Sequence, residues 1–285
     1  MTMIHILILA AVQGAAELLP VSSSAHVIVI AKLLGLDPTT PEMTLLLVML
    51  HTGTMFAVIC YFWKSWHAGF FASRRLFVAS LKLIVLATIM TGAVGLALKG
   101  LIERFVLGNA PHAEIELLFG NLGLISAALT AAGLLIIIAG LRGRRGGESS
   151  AVGVGESLVI GIVQGLCLPF RGFSRSGATI SAGLLLGIAR ARAEEFSFAL
   201  AVVLTPPVIA REVLRLLKAH ALTAPGGPHL ALFLPSLAGM VLSFLAGLLA
   251  LRWLSSWLEK GRWHFFGYYC LAAALFVFTC YRLGI

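Results

Sequence analysis

Beyond residue 42, six stretches of this chain run for fifteen residues or more without Asp, Glu, Lys or Arg: residues 43–63, 83–98, 117–141, 196–210, 219–251 and 263–281. With a turn of overhang at the shorter ones, each approaches the roughly 20 apolar residues that cross a bilayer as a helix. The composition agrees. Of the 285 residues, 59% are hydrophobic and 12% charged, where a soluble domain carries roughly 45–50% and about 25%. A mean hydropathy of +0.99 also excludes a disordered or coiled-coil chain, which needs a polar surface. The expected fold is an all-α integral membrane protein with six transmembrane helices.

Two further apolar stretches, before Met43 and between Ser157 and Ala189, are broken by polar residues into pieces too short to cross. The first reads Val12-Gln13-Gly14-Ala15-Ala16-Glu17-Leu18-Leu19-Pro20-Val21-Ser22-Ser23-Ser24-Ala25-His26, the second Val163-Gln164-Gly165 through Arg171-Gly172-Phe173-Ser174-Arg175-Ser176-Gly177. Aligned on Val-Gln-Gly, Ser23 falls opposite Ser174 and Pro20 opposite Arg171, and each stretch is followed by a short apolar helix ending in Leu-Leu-Gly. Three spans follow each. The chain therefore reads as two repeats, 1–141 and 142–285, each a re-entrant helical hairpin plus three spans, within one compact membrane domain. An odd number of crossings between the hairpins makes them enter from opposite faces, the inverted-topology repeat of many transporters.

The net charge of +9, from 21 Lys and Arg against 12 Asp and Glu, is concentrated between apolar runs and points to a membrane setting rather than nucleic acid. The basic loops 64–82, 142–156 and 252–262 share one face, which the positive-inside rule assigns to the cytoplasm. Arg211, Arg215 and Lys218 fall on the other face, and both termini are expected outside. Cys60, Cys167, Cys270 and Cys280 lie in apolar runs without metal or redox spacing and read as core residues. No basic leader with a small-residue cleavage site precedes the first apolar run, so the mature chain is expected from Met1.

Charges at membrane depth are costly and therefore candidates for function. Glu17, Arg171 and Arg175 qualify. Gln13 and Glu17, four residues apart, share a helix face and offer an amide and a carboxylate suited to a hard cation, Mg²⁺ or Ca²⁺, which takes its other ligands from water and phosphate. Pro20 with Ser22, Ser23 and Ser24, and Gly172 with Ser174, Ser176 and Gly177, interrupt one helix and can cap the next. Two helix N-termini aimed at one cavity make an anion site. Arg175 adds a guanidinium fork matched to phosphate, with Thr179 on its face. His26, three residues after Ser23, can stand in general-base relation to it. His5, His51, His220 and His229 read as structural.

These residues carry a resemblance. The first hairpin resembles the glutamate-rich motif, and Gly172-Phe173-Ser174-Arg175-Ser176-Gly177-Ala178-Thr179 the PGxSRSxxT motif, of the BacA-type undecaprenyl-diphosphatases; Glu195-Phe196-Ser197-Phe198 and the span pattern extend the likeness over essentially the whole chain. The resemblance implies a bacterial inner-membrane enzyme that removes the terminal phosphate of a C55 lipid carrier's diphosphate at a periplasm-accessible site. It places Gln13 and Glu17 at the acidic motif, Ser22, Ser23 and His26 at the serine pair and histidine, and Ser174, Arg175, Ser176 and Thr179 in the phosphate-binding loop. Arg171 stands where the family usually has Pro, and Ala25 where it usually has Gly. Gln13 leaves the metal one strong ligand from this motif.

The expected reaction is metal-assisted hydrolysis of a polyprenyl diphosphate. Glu17, Ser23, His26 and Arg175 would be catalytic; Gln13, Ser22, Arg171, Ser174, Ser176 and Thr179 would bind substrate; Glu17 and Gln13 would hold Mg²⁺ or Ca²⁺. His26 would act as base on Ser23 or on a water, so a phosphoserine route and direct attack both stay open. The partners expected are the polyprenyl lipid and the bilayer, with no nucleic acid and a homodimer as one possible assembly. Two rival readings are a transporter or flippase of polyprenyl phosphate lipids, whose usual architecture this is, and a structural protein binding anionic headgroups.

Overall fold

The computed structural model describes residues 2–36, 40–105, 121–142, 151–223 and 230–283. Among these residues it is entirely helical: α1 Met3–Leu18, α2 Ser23–Leu33, α3 Pro41–Gly69, α4 Arg74–Phe105, α5 Leu122–Arg142, α6 Val154–Cys167, α7 Arg175–Leu185, α8 Arg190–Thr223, α9 Leu230–Glu259 and α10 His264–Leu283.

Six helices, α3, α4, α5, α8, α9 and α10, contain stretches long and apolar enough to cross a membrane, and each overlaps one of the charge-free stretches. The boundaries differ for a physical reason. Long cationic side chains tolerate helix ends because their stems stay apolar while the heads reach water, so α4 extends past Lys82 and Lys99 to 32 residues. The stretch 219–251 is corrected: α8 continues to Thr223 and α9 starts at Leu230. Absence of charge does not mark a helix end, whereas Pro225-Gly226-Gly227-Pro228 is a breaker signal. Residues 117–120 of the third stretch lie outside the described residues. On α4, Leu76, Val85, Ile89, Leu96 and Leu101 stand exposed, the apolar outer face that a spanning helix turns to lipid.

The packing is partly mirrored between the halves. α1 packs on α9 as α6 packs on α4, while α5 meets α10 and α3 meets α8. The repeated Val-Gln-Gly sits at these mirrored crossings. A Cβ on Gly14 would come within 2.5 Å of the Ala246 Cβ on α9, and one on Gly165 within 2.8 Å of the Val94 Cβ on α4. The triplet recurs because each crossing needs a residue without a side chain.

α2 and α7 each have eleven residues and end alike. Gly35 (φ 66°) and Gly187 (φ 82°) take the left-handed conformation that glycine adopts without steric cost. Their N–H groups donate to Lys32 O and Leu184 O, and those of the next residues, Leu36 and Ile188, to Ala31 O and Gly183 O, the Schellman pattern at both ends. The break between α1 and α2 leaves carbonyls that need partners. Ser176 Oγ on α7 donates to Leu19 O (3.4 Å), and Cys270 Sγ on α10 to Pro20 O (3.3 Å). The first break is thus held by helices of the second half.

Candidate active site

Glu17 occupies the last turn of α1, and Ser23 opens α2 just past the break. The intervening turn folds back so that Ser23 Oγ donates to Glu17 Oε2 at 2.5 Å. Gln13, one helical turn before Glu17, donates from Nε2 to the same oxygen at 3.0 Å. Glu17 Oε1 faces Arg175 Nη2, 3.3 Å away at the start of α7. The carboxylate therefore lies between a hydroxyl from its own half and a guanidinium from the other.

These groups border a cavity of about 260 Å³ whose walls include Ser22, Ser23 and Ser24 on one side and Ser174, Arg175 and Ser176 on the other. The N-termini of α2 and α7 meet at this cavity, bringing free N–H groups and positive dipole ends to one volume. Ser174 is the N-cap of α7, its hydroxyl accepting from Gly177 N at 3.2 Å. Ser22 holds the corresponding place before α2 without a side-chain cap and with φ of 66°, strained for a residue with a Cβ. Arg175 Nη1 is buried and has no hydrogen-bond partner in the protein, a donor left over after Nη2 has met Glu17. Such an orphan is costly unless a ligand satisfies it.

Most of the residues singled out in the sequence line this cavity: Glu17, Ser22, Ser23, Arg171, Ser174, Arg175 and Ser176, with Gln13 buried directly behind Glu17. Two are placed elsewhere. His26 Nδ1 lies 2.7 Å from Ser22 O and Nε2 2.8 Å from Tyr269 Oη. A carbonyl can only accept, so Nδ1 carries the proton and Nε2 accepts from the tyrosine in the neutral ring. Three residues along a helix put His26 on the face of Ser23, but the ring turns to α10, and Ser23 meets Glu17 instead. Thr179 is fully buried, its hydroxyl donating to Arg175 O (2.8 Å) and lying 2.6 Å from Ser197 Oγ. It ties α7 to α8 rather than facing the cavity.

His51 is the residue whose sequence reading missed the site. On α3, its Nδ1 is 2.9 Å from Gln13 Nε2 and 3.5 Å from Glu17 Oε2, and it lines the cavity. Only the packing of α3 against α1 brings it there, and no local motif announces it. Two adjacent buried acids, Glu194 and the Glu195 already named in the family likeness, take no part in the site. Glu194 accepts from Ser255 Oγ at 2.6 Å, and Glu195 is paired with Arg192 at 2.7 Å and Ser65. Their partners are structural and they lie apart from the cavity.

Among the described residues no three His, Cys, Asp or Glu side chains gather as metal ligands. The donor chemistry beside the cavity, one carboxylate with an amide and a hydroxyl in direct contact with it, suits a hard cation that brings most of its ligands as water and phosphate oxygens.

Residues 6–276 match the family described as bacitracin resistance protein BacA. The chain is 58% identical over 283 residues to undecaprenyl-diphosphatase 2 of Acinetobacter baylyi, covering 98% of both chains. It is 35% identical over 289 residues to undecaprenyl-diphosphatase 1 of Burkholderia pseudomallei, covering 97% of this chain and 96% of the relative. It is 31% identical over 275 residues to the undecaprenyl-diphosphatase of Rhodopirellula baltica, with 96% of each covered.

Proposed function

Because this chain belongs to the BacA family, we propose that it hydrolyses undecaprenyl diphosphate to undecaprenyl phosphate and inorganic phosphate, returning the lipid carrier to peptidoglycan synthesis. The observation that carries this reading is the Glu17–Arg175 contact at 3.3 Å with Ser23 on the same carboxylate. It supports a reading in which Glu17 accepts a proton, Ser23 or a water beside it attacks, and Arg175 binds phosphate, all at one cavity.

In this reading the diphosphate enters between the N-termini of α2 and α7. Arg175 Nη1, without a protein partner, binds a phosphate oxygen, and the N–H groups and hydroxyls around Ser22 and Ser176 hold the others. Glu17 Oε2 takes the proton of Ser23 Oγ, or of a water lying where Ser23 directs it. The oxygen so released attacks the terminal phosphorus, the bridging P–O bond breaks, and undecaprenyl phosphate leaves. On the serine route, water then cleaves the phosphoserine. Arg175 and the helix ends stabilise the charge that develops on the phosphoryl oxygens. Glu17 replaces His26 as the base for Ser23, since Ser23 contacts the carboxylate, and His26 braces the start of α2 through Ser22 O. Glu17 and Gln13 would hold a Mg²⁺ or Ca²⁺ ion, which when bound would neutralise charge on the diphosphate.

We read α1–α2 and α6–α7 as re-entrant hairpins of two inverted repeats, 1–141 and 142–285. At 1.5 Å per residue α2 and α7 are each about 17 Å long, short of a core about 30 Å thick, and the mirrored crossings and paired Schellman ends support the repeat. With the basic loops on the cytoplasmic face, the cavity is read as open to the periplasmic side of the bacterial inner membrane, as the family resemblance implies. A homodimer is the assembly carried with this reading, to be measured by mass in detergent.

Phosphate release from undecaprenyl diphosphate by the purified protein in detergent tests the reading. Release by the wild-type chain with loss in Glu17→Gln supports it, and no release, in the absence of any second compartment, favours a carrier of polyprenyl phosphate lipids.

A further inference from the structure

A second cavity, of about 460 Å³, lies on the outer side of α2 between α5 and α10. Val29 and Ile30 of α2, Leu129 of α5 and Ala273, Phe276 and Val277 of α10 wall it, and His26 and Tyr269 stand at its polar end. Apart from that pair the wall is hydrocarbon. Leu33 and Phe276 at its margin are more than half exposed, so the groove opens sideways to the bilayer.

Two features connect it to the first cavity. α2 serves both, with Ser22, Ser23 and Ser24 facing the diphosphate site and Ala25, His26 and Val29 facing the groove. α5 runs behind both, since a Cβ on Gly172 would touch Ile125 O and the Ala128 Cβ, while Leu129, the next residue along, borders the groove. A diphosphate seated at the head of α2 must send its hydrocarbon somewhere, and the apolar trough begins on the next residues of the same helix.

We propose that this groove is the binding subsite for the first isoprene units of the substrate's tail, with the His26–Tyr269 pair as the collar at which the hydrocarbon begins. The proposal rests on the hydrolase reading above. The two rings stack at 5.6 Å between centroids with 12° between their planes, joined by the 2.8 Å hydrogen bond, so the collar presents a flat face rather than a mobile side chain. The flat, unsaturated prenyl chain lies along it, and its lateral opening lets a 55-carbon tail remain mostly in lipid.

The test uses full-length protein in detergent. Ala273→Trp fills the groove without touching the phosphate cavity, and is expected to raise KM for undecaprenyl diphosphate at least tenfold while kcat stays within twofold. An unchanged KM, or a loss confined to kcat, overturns the proposal. Should this variant fail to fold, mapping with the wild-type protein decides. An undecaprenyl diphosphate analogue with a diazirine on its first isoprene unit is expected to label α2 and α10 between Tyr269 and Val277. Labelling confined to Val58 and Val202, which line a separate small cavity together with Glu17 and Arg175, overturns it, as does a groove already covered by a co-purified lipid chain or a second copy and therefore unlabelled. Wild-type protein that releases no phosphate would sink the hydrolase reading alone, since the labelling still reports where the tail lies.

Discussion

Arg175 Nη2 lies 3.3 Å from Glu17 Oε1, although 158 residues separate them and they come from opposite halves of the chain. Their side chains are 22% and 18% exposed. Removing one partner of so enclosed a pair strands the other charge, so the contact binds the halves together as well as furnishing the site.

Arg175→Lys keeps the charge but loses the fork that reaches Glu17 and a phosphate oxygen at once. It is expected to lower kcat/KM about tenfold or more, and Arg175→Ala by about 100-fold. Initial rates of phosphate release from undecaprenyl diphosphate measure both. Equal activity in the lysine variant would show that only a point charge is needed.

His51 steadies Gln13 and Glu17 from α3. His51→Ala should cost about tenfold in kcat, with the protein still eluting as a single species. His26→Ala should act mainly through the placement of α2 and the tail groove, raising KM more than it lowers kcat. A larger kcat loss in the His26 variant would restore that residue as the base.

Gly161, on α6, lies so close to α4 that an added Cβ would stand 2.4 Å from Ala87 O. Backbone cannot yield as a flexible side chain does. Gly161→Val is expected to destabilise by about 1–3 kcal/mol or more, read as a lowered Tm in detergent. Gly155, with open space around its Cβ position, should accept Ala with little change.

Removing divalent cations with a chelator should reduce phosphate release, and Mg²⁺ or Ca²⁺ should restore it. Gln13→Glu adds a second carboxylate beside Glu17 and should lower the metal concentration needed for half-maximal rate. Full activity in excess chelator would remove the ion from the account.

The helices were legible because a bilayer imposes a composition that no local detail hides, and the charged and hydroxyl residues of the two breaks were legible because polar groups stand out inside apolar runs. Other features required the packing. Sequence spacing allows His26 to face Ser23, yet a side chain settles where its partners are, and Tyr269 comes from 243 residues away. His51 looked ordinary among eight histidines until α3 packed against α1. Thr179 shares a helix face with Arg175, but that face curves from the cavity toward Ser197. The end of α8 was lost because charge-free runs report hydrophobicity and not helix continuity.

The most direct test of the account is phosphate release from purified wild-type and Glu17→Gln protein, compared at equal amounts of folded material on undecaprenyl diphosphate. The glutamine keeps the shape and gives up the proton acceptor, so the account predicts a rate per folded molecule reduced by about 100-fold or more, alongside a lowered Tm from the Arg175 charge left unpaired. A Glu17→Gln protein that releases phosphate at the wild-type rate would contradict it.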